Sequence, residues 1–490
     1  MRKASSALLP VVATSRSSGL PLHKQIYDSF RDHISHGNLR PGQQMPSTRA
    51  LAVELRLSRI PVLTAYAQLL AEGYCETRAG AGTFVCRSLP QESWNGREAA
   101  RIKPQVFKRR SVSRRGQLLR PYQQQPWLGG LGAFCLGQPA YDEFPYPVWS
   151  RLVARYSRHA VAGTLHYGGP MGHEGLRRAI ATYLRTSRAV RCEPRQIMIV
   201  SGSQQALELT SRLLLDEGDA AWIEEPGYWL TRQVLTAAGC RPVPIPVDSE
   251  GLNVAEGRKR CGRARAAYIT PSHQFPLGAT MTASRRLELL HWAARAGAWI
   301  VEDDYDSEYR YDSMPIASLQ GLDRNDRVIY IGTFSKTMFP ALRLGYLVLP
   351  EDLVERFAGI RNAMDLGSPH LYQAVLADFI SEGHFARHIR RMRQLYNQRR
   401  LALVDSLRKQ FGREVEILGA EAGMHLAVTL PGKFRDREVA LRAAGEKLWM
   451  TPLSSAYSER PAKQGFILGF GGTAVEEIPA AVGRLKTLLG

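Results

Sequence analysis

The sequence predicts an α/β protein with a mostly parallel sheet, preceded by a small module of three helices and a hairpin. Three observations lead there. From about Gly137 onward, short apolar strands alternate with helical stretches, as when a parallel sheet is covered by helices. Between Pro21 and Val85, three amphipathic stretches precede two short extended runs around Ala79-Gly80-Ala81-Gly82. Charge divides the same way: residues 1–120 hold 20 Lys and Arg against 7 Asp and Glu, and the rest holds 45 against 38. At 490 residues the chain is too long for one core, and 44% hydrophobic residues is ordinary for globular protein.

A basic excess packed into one quarter of the chain points to a polyanion partner at that end, the bland alternative being a solvated charged surface. The six cysteines are scattered, with no CxxC or His-rich spacing. That pattern argues against a zinc site or a disulfide framework and fits a reducing, cytoplasmic setting. The apolar run at residues 7–13 is interrupted by Pro10 and is too short for a signal peptide, so residues 1–19 read as a disordered leader. No apolar stretch is long enough to span a membrane.

The first module occupies residues 20–87. Leu22, Ile26, Phe30 and Ile34 recur every four residues and Gly37 follows, as at the end of a helix. Pro46-Ser47 opens a second helix with Leu51, Ala52 and Leu55. Ser58 is placed as the N-cap of a third, with Val62, Tyr66, Leu69 and Leu70 on one face and Gly73 at its end. Pro61 falls in that helix's first turn, where a missing N–H costs little. The order and spacing of Gln25-Ile26, Gly37, Leu39, Pro41-Gly42, Pro46-Ser47, Arg49, Leu51-Ala52, Ser58-Arg59, Ala65-Tyr66, Gly73-Tyr74 and residues 80–85 resemble the GntR-type winged helix. The resemblance implies promoter DNA as partner. Ser47 and Ser58, at helix N-termini, suit phosphate oxygens. Arg49 and Arg59 can reach base edges, most readily guanine, and Gly82 lets the wing backbone approach the minor groove. Ile60-Pro61 stand where the family usually places small polar residues. Residues 88–132 read as a flexible basic linker, with eight basic and no acidic residues between 101 and 120. Beside a DNA-binding module such a run adds non-specific phosphate affinity.

The remainder, 133–490, carries four segments with chemistry. Strand-like residues 197–200 lead through Ser201-Gly202 into a helix beginning at Ser203-Gln204, which aims N–H groups at an anion. Glu224-Glu225-Pro226-Gly227-Tyr228-Trp229 places an aromatic after a strand and a turn, where it stacks on a flat ring or packs in a core. Residues 298–305 deliver Glu302-Asp303-Asp304-Tyr305 from an apolar strand. Such carboxylates serve as a structural cap, as half of a metal site, or as partner to a pyridinium nitrogen; His273 and His291 look isolated, which argues against metal. The fourth runs from Val328 to Pro340 with Ser335-Lys336, followed by Arg343. The chain uses only 11 Lys among 65 basic residues, so a lysine in this nearly uncharged run is unlike a solubility residue. Desolvation there would lower its pKa and make it a competent amine for a Schiff base.

In this order, with Tyr167-Gly168, Gly172, Leu176-Arg177 and Thr270–Gly278, the segments resemble fold-type I pyridoxal-phosphate enzymes of the aspartate aminotransferase group. The resemblance implies a small C-terminal α+β subdomain over roughly 370–490. It implies pyridoxal 5'-phosphate as an aldimine on Lys336, with Asp303 on the pyridine nitrogen, Tyr305 on the phenolate oxygen and Tyr228 stacked on the ring. Ser203, Gln204, Ser335 and Arg343 would hold the phosphate, and Tyr167 would reach a neighbouring subunit's cofactor in a homodimer. The fusion, with its Ser-His-Gln-Phe-Pro and Glu-Asp-Asp-Tyr-Asp-Ser-Glu stretches, looks like the MocR subfamily of regulators. There the aminotransferase-like part senses an effector, either the cofactor itself or an amino compound such as γ-aminobutyrate. In enzymes of this fold a C-terminal Arg-Leu-x-Phe-like strand anchors the substrate carboxylate. Here Ile467 takes the Arg position, which argues for a sensor over an ordinary amino-acid transaminase, with Arg232 or Arg460 as the possible substitutes.

Overall fold

The computed structural model describes residues 12, 14–15, 17–87, 111–119, 124–158, 166–311, 316–430 and 434–489. Most of the predicted leader, and the greater part of the basic linker, lie outside them. The chain divides into two compact units between residues 110 and 111.

The first unit contains helices α1 (Leu22–Ser35), α2 (Thr48–Glu54) and α3 (Arg59–Ala71), then strands β1 (Cys75–Arg78) and β2 (Gly82–Val85). Its core joins Ile26, Tyr27, Phe30 and Ile34 of α1 to Leu51, Val62, Tyr66, Leu69 and Val85. These are the apolar positions that the helical spacing marks, with Tyr27 in addition. The hairpin is antiparallel with Arg78 opposite Gly82. Gly82 has φ +105°, a conformation that a side chain would strain.

In the second unit one sheet has, among the described residues, the order β3-β10-β9-β8-β7-β4-β5-β6, with β5 at Arg241–Asp248 and β6 at Gly251–Leu252. The strands that position the site are β3 (Ile197–Val200), β4 (Ala220–Glu225), β7 (Ala266–Ile269), β8 (Trp299–Asp304), β9 (Val328–Thr333) and β10 (Gly345–Val348). β5, β4, β7, β8 and β9 run parallel, while β10 is antiparallel to both neighbours. Along β3, Ile197 and Ile199 face one core, and Met198 and Val200 face the other. A strand buried on both faces has no polar side to show, which is why these segments read as unbroken apolar runs. A second, antiparallel sheet has the order β11-β12-β14-β13, with β11 at Glu416–Leu418, β12 at His425–Thr429, β13 at Thr451–Pro452 and β14 at Gly465–Gly469. It packs with helices His384–Phe411 and Ile478–Leu489 as the C-terminal α+β part. Phe134 bridges to Gly469, so the start of the unit also joins this layer, outside the 370–490 span predicted for it. No helix among the described residues is long and apolar enough to cross a membrane.

Candidate functional site

The winged head is built from its caps. Ser47 accepts a hydrogen bond from the Ala50 N–H at 3.1 Å and so caps α2. Ser58 occupies the matching place before α3 but makes no cap bond, contrary to its predicted capping role. The reason is local: Pro61 sits three residues on and has no N–H to donate. Arg59 Nε donates to Thr48 Oγ1 at 3.1 Å, tying the starts of α2 and α3 together. Arg49, Ser58, Arg59 and Gly82 are exposed.

The second unit gathers most of the predicted residues at the C-terminal ends of the parallel strands. The three acids of β8 take different duties because a strand alternates its faces. Glu302 is buried and accepts the N–H groups of Leu319 and Gln320 at 2.8 and 2.9 Å. Asp304 pairs with the buried Arg188 at 2.8 Å and accepts from Tyr330 Oη at 2.6 Å. Asp303, between them, has a buried Oδ1 with no hydrogen-bond partner. Burial pushes its carboxyl up to about 7, with Asp304, Glu224 and Asp306 adding and Lys336 opposing. Lys336 Nζ reaches Gly137 O only at 3.4 Å, a loose tether. Burial lowers its pKa, while Asp306, Cys135 and Asp303 pull the other way. Gly137 was not foreseen. Its φ is +69°, and a side chain there would collide with the Lys336 amine.

At the start of helix α4 (Ser203–Leu214), Gly202 has φ +89° and supplies no side-chain cap. Gln204 Nε2 is buried without a partner, and Arg343, in the left-handed region, donates to Ser201 O at 2.7 Å. Thr333 Oγ1 accepts from the Ser335 N–H and donates to its hydroxyl, each at 3.2 Å. Tyr228 lies within electrostatic reach of Gln204, Arg343 and Asp303. Burial raises its phenol, as does Asp303, while Gln204 and Arg343 oppose. Its ring meets Phe275 edge-on at 5.7 Å.

Two of the predicted residues make other contacts in the single chain. Tyr305 Oη is engaged within the chain, donating to His273 O at 2.9 Å. Tyr167 is 79% exposed and contacts none of these groups, its ring neighbour being His166. A third finding corrects the sequence reading of His273 as isolated. His273 Nδ1 lies 3.1 Å from Asp306, and His425 joins them in a buried cluster with ligating atoms within 4.8 Å of one another. Burial opposes the His273 imidazolium but Asp306 outweighs it, so that pKa rises; His425 is held well below the usual range by burial, His273 and Lys336. The three are far apart in sequence, so no local spacing announces them. Ile467 is fully buried with Phe275, Leu453 and Ala456, against Tyr228 and Tyr305. Of its two candidate substitutes, Arg232 lines a cleft of about 350 Å³ with Arg437, Ser454 and Tyr457, and Arg460 is exposed.

Residues 22–85 match the family of bacterial regulatory proteins, gntR family, and residues 133–466 match aminotransferase class I and II. The probable rhizopine catabolism regulatory protein MocR of Rhizobium meliloti is 38% identical over 477 residues, 97% of this chain and 95% of its own. This chain belongs to the MocR-type transcription regulators. Another relative of this MocR-type chain, the pyridoxine biosynthesis regulator PdxR of Corynebacterium glutamicum, is 31% identical over 447 residues, covering 91% of each chain. The second unit resembles a kynurenine aminotransferase of Pyrococcus horikoshii, solved with PMP, with a TM-score of 0.71 and 27% identity over 77% of this chain and 96% of that one.

Proposed function

We propose that the winged helix holds promoter DNA while the aminotransferase-like unit carries pyridoxal 5'-phosphate on Lys336 and responds to the cofactor or to an amino compound. One juxtaposition carries this: a loosely tethered amine of lowered pKa lies in the field of a buried carboxylate oxygen that has no partner of its own. Such an oxygen is costly to bury unless something cationic comes to meet it. The cofactor's pyridinium is such a group, so the residues present fit it.

In this reading Asp303 answers the ring nitrogen, Tyr228 covers a ring face and Tyr305 turns from His273 to the ring's oxygen. Gln204 Nε2, buried without a partner, joins Ser203, Ser335 and Arg343 around the phosphate at the N-terminus of α4. The bound group supplies an aldehyde carbon that primary amines attack. Lys336 contributes a larger neutral fraction than a solvated lysine would. Tyr167, exposed in the single chain, serves a second subunit, and the regulator acts as a homodimer in the cytoplasm. In the head, Ser47 and Ser58 hold phosphates, Arg49 and Arg59 face base edges, and Gly82 lets the wing backbone approach the minor groove. Ile467 closes one wall with apolar surface, which offers an effector's carboxylate no cation there.

The test combines absorbance with DNA binding. Purified chain mixed with pyridoxal 5'-phosphate is expected to keep absorbance at roughly 330–420 nm through dialysis, and Lys336→Ala is expected to lose it. Footprinting of the adjacent upstream DNA is expected to give protection that changes with cofactor or added amine. Absence of specific protection in every condition would sink the regulator reading. The alternative, a working aminotransferase with an accessory head, draws support from the likeness to the kynurenine aminotransferase. Repeated turnover of an amino acid with a keto-acid acceptor would favour it.

A further inference from the structure

The outward face of α3 has an unusual chemistry for a surface helix. Val62, Ala65, Tyr66 and Leu69 are buried, leaving Arg59, Ile60, Leu63, Thr64 and Ala67 exposed along the opposite stripe. Arg59 is the one charged side chain in the helix. Ile60 is 72% exposed and Leu63 44% exposed, and they lie three residues apart on one face. Thr64 Oγ1 donates to Ile60 O at 3.1 Å, so its hydroxyl is spent on its own helix and its methyl remains to offer a partner. A solvated helix face ordinarily carries charged and polar side chains. This one presents an apolar patch beside a single guanidinium.

The surroundings say what kind of partner fits. Ser58 has a hydroxyl released from capping, and Arg59 is braced on Thr48, next to the exposed Arg49. Cations and a hydroxyl at the same end of the helix complement a phosphate backbone, and no acidic residue stands in the first turn of α2 or α3. On the floor of a major groove, the apolar group among the base edges is the C5 methyl of thymine.

We infer that Ile60 and Leu63 read thymine methyl groups in the major groove of duplex DNA, beside a base contacted by Arg59. The inference rests on the proposal above that Arg59, the first residue of α3, faces base edges. It gives Ile60-Pro61, the departure from the family's small polar residues, a role in specificity. Apolar contact replaces hydroxyl hydrogen bonding at Ile60, and Pro61 stiffens the turn that presents it.

Replacing thymine by uracil removes that methyl and leaves the base-pairing edge intact, which isolates the contact. Duplexes bound by the full-length chain would be selected from a randomised pool, and each thymine then exchanged singly for uracil. Affinity would be measured by fluorescence anisotropy. Uracil is expected to weaken binding about fourfold per buried methyl at one or two positions of each half-site. Ile60→Ala or Leu63→Ala should weaken the thymine duplex by a similar factor and abolish the thymine–uracil difference at its own position. Both side chains are exposed, so folding should be unaffected, as circular dichroism would verify. Specific binding in which every uracil exchange is silent overturns the inference alone. So does a uracil effect that persists unchanged in both variants. A pool that yields no specific sequence overturns the underlying assignment of the DNA-binding helix.

Discussion

Asp303 Oδ1 is buried with no hydrogen-bond partner, and its carboxyl sits at about 7, against 3.8 for an ordinary aspartate. Between those values the folded chain keeps a proton that the unfolded chain has shed. Folding stability of the cofactor-free protein therefore declines as pH climbs through that window, and the loss levels off above about 7. Asp303→Asn cannot ionise, so its urea midpoint should fall less than that of the parent between acidic and neutral pH. Across the whole window the difference in unfolding free energy should be about 4 kcal/mol. Glu224 and Glu308, also pushed up to about 7 by burial, act in the same direction, so the variant keeps part of the slope. Identical slopes for parent and variant would contradict the burial assigned to Asp303. Lys336 was legible in the sequence because a lone lysine in an apolar run has no solubility to confer. The His273–Asp306–His425 cluster was not, because its members follow β7, follow β8 and begin β12, and meet only in the folded chain.

The helices of the winged head show how one residue redirects a neighbour's chemistry. Ser47 and Ser58 are equivalent in pattern, each a serine before a short helix, yet Ser47 caps and Ser58 does not. Ser47→Ala should cost about 1 kcal/mol of local stability, whereas Ser58→Ala should change it by less than about 0.5 kcal/mol. Amide hydrogen exchange across residues 48–54 and 59–71 would separate the two effects. Ser58→Ala should instead appear as weaker DNA binding. Spacing made the serines, the helix faces and the buried parallel strands visible, since each leaves a periodic apolar trace. The reversed direction of β10 leaves no such trace, because Gly345–Val348 is as apolar as its parallel neighbours and its orientation is set by the chain's path. Phe134 joining the C-terminal sheet is likewise a long-range pairing with no local signature.

Across the whole molecule, charge and burial divide the two binding events. Residues 1–120 carry 20 basic against 7 acidic residues, and the predicted DNA contacts Arg49 and Arg59 are exposed. Binding there should release counterions and weaken steeply with salt. The loss should be on the order of 10³-fold between about 50 and 200 mM for six or so phosphate contacts. Lys336 is instead half-buried and Asp303 Oδ1 is buried, so bulk salt screens their interactions less. Cofactor loading should therefore keep most of its affinity over the same range, apart from the share contributed by the exposed Arg343. Titrating one preparation with duplex by anisotropy and with pyridoxal 5'-phosphate by absorbance, at matched salt steps, compares the two directly. The logarithmic slope for DNA should be several times the steeper. Equal slopes would mean that the cofactor is held chiefly by exposed charge, and the pair of Lys336 and Asp303 would lose its place at the centre of the site.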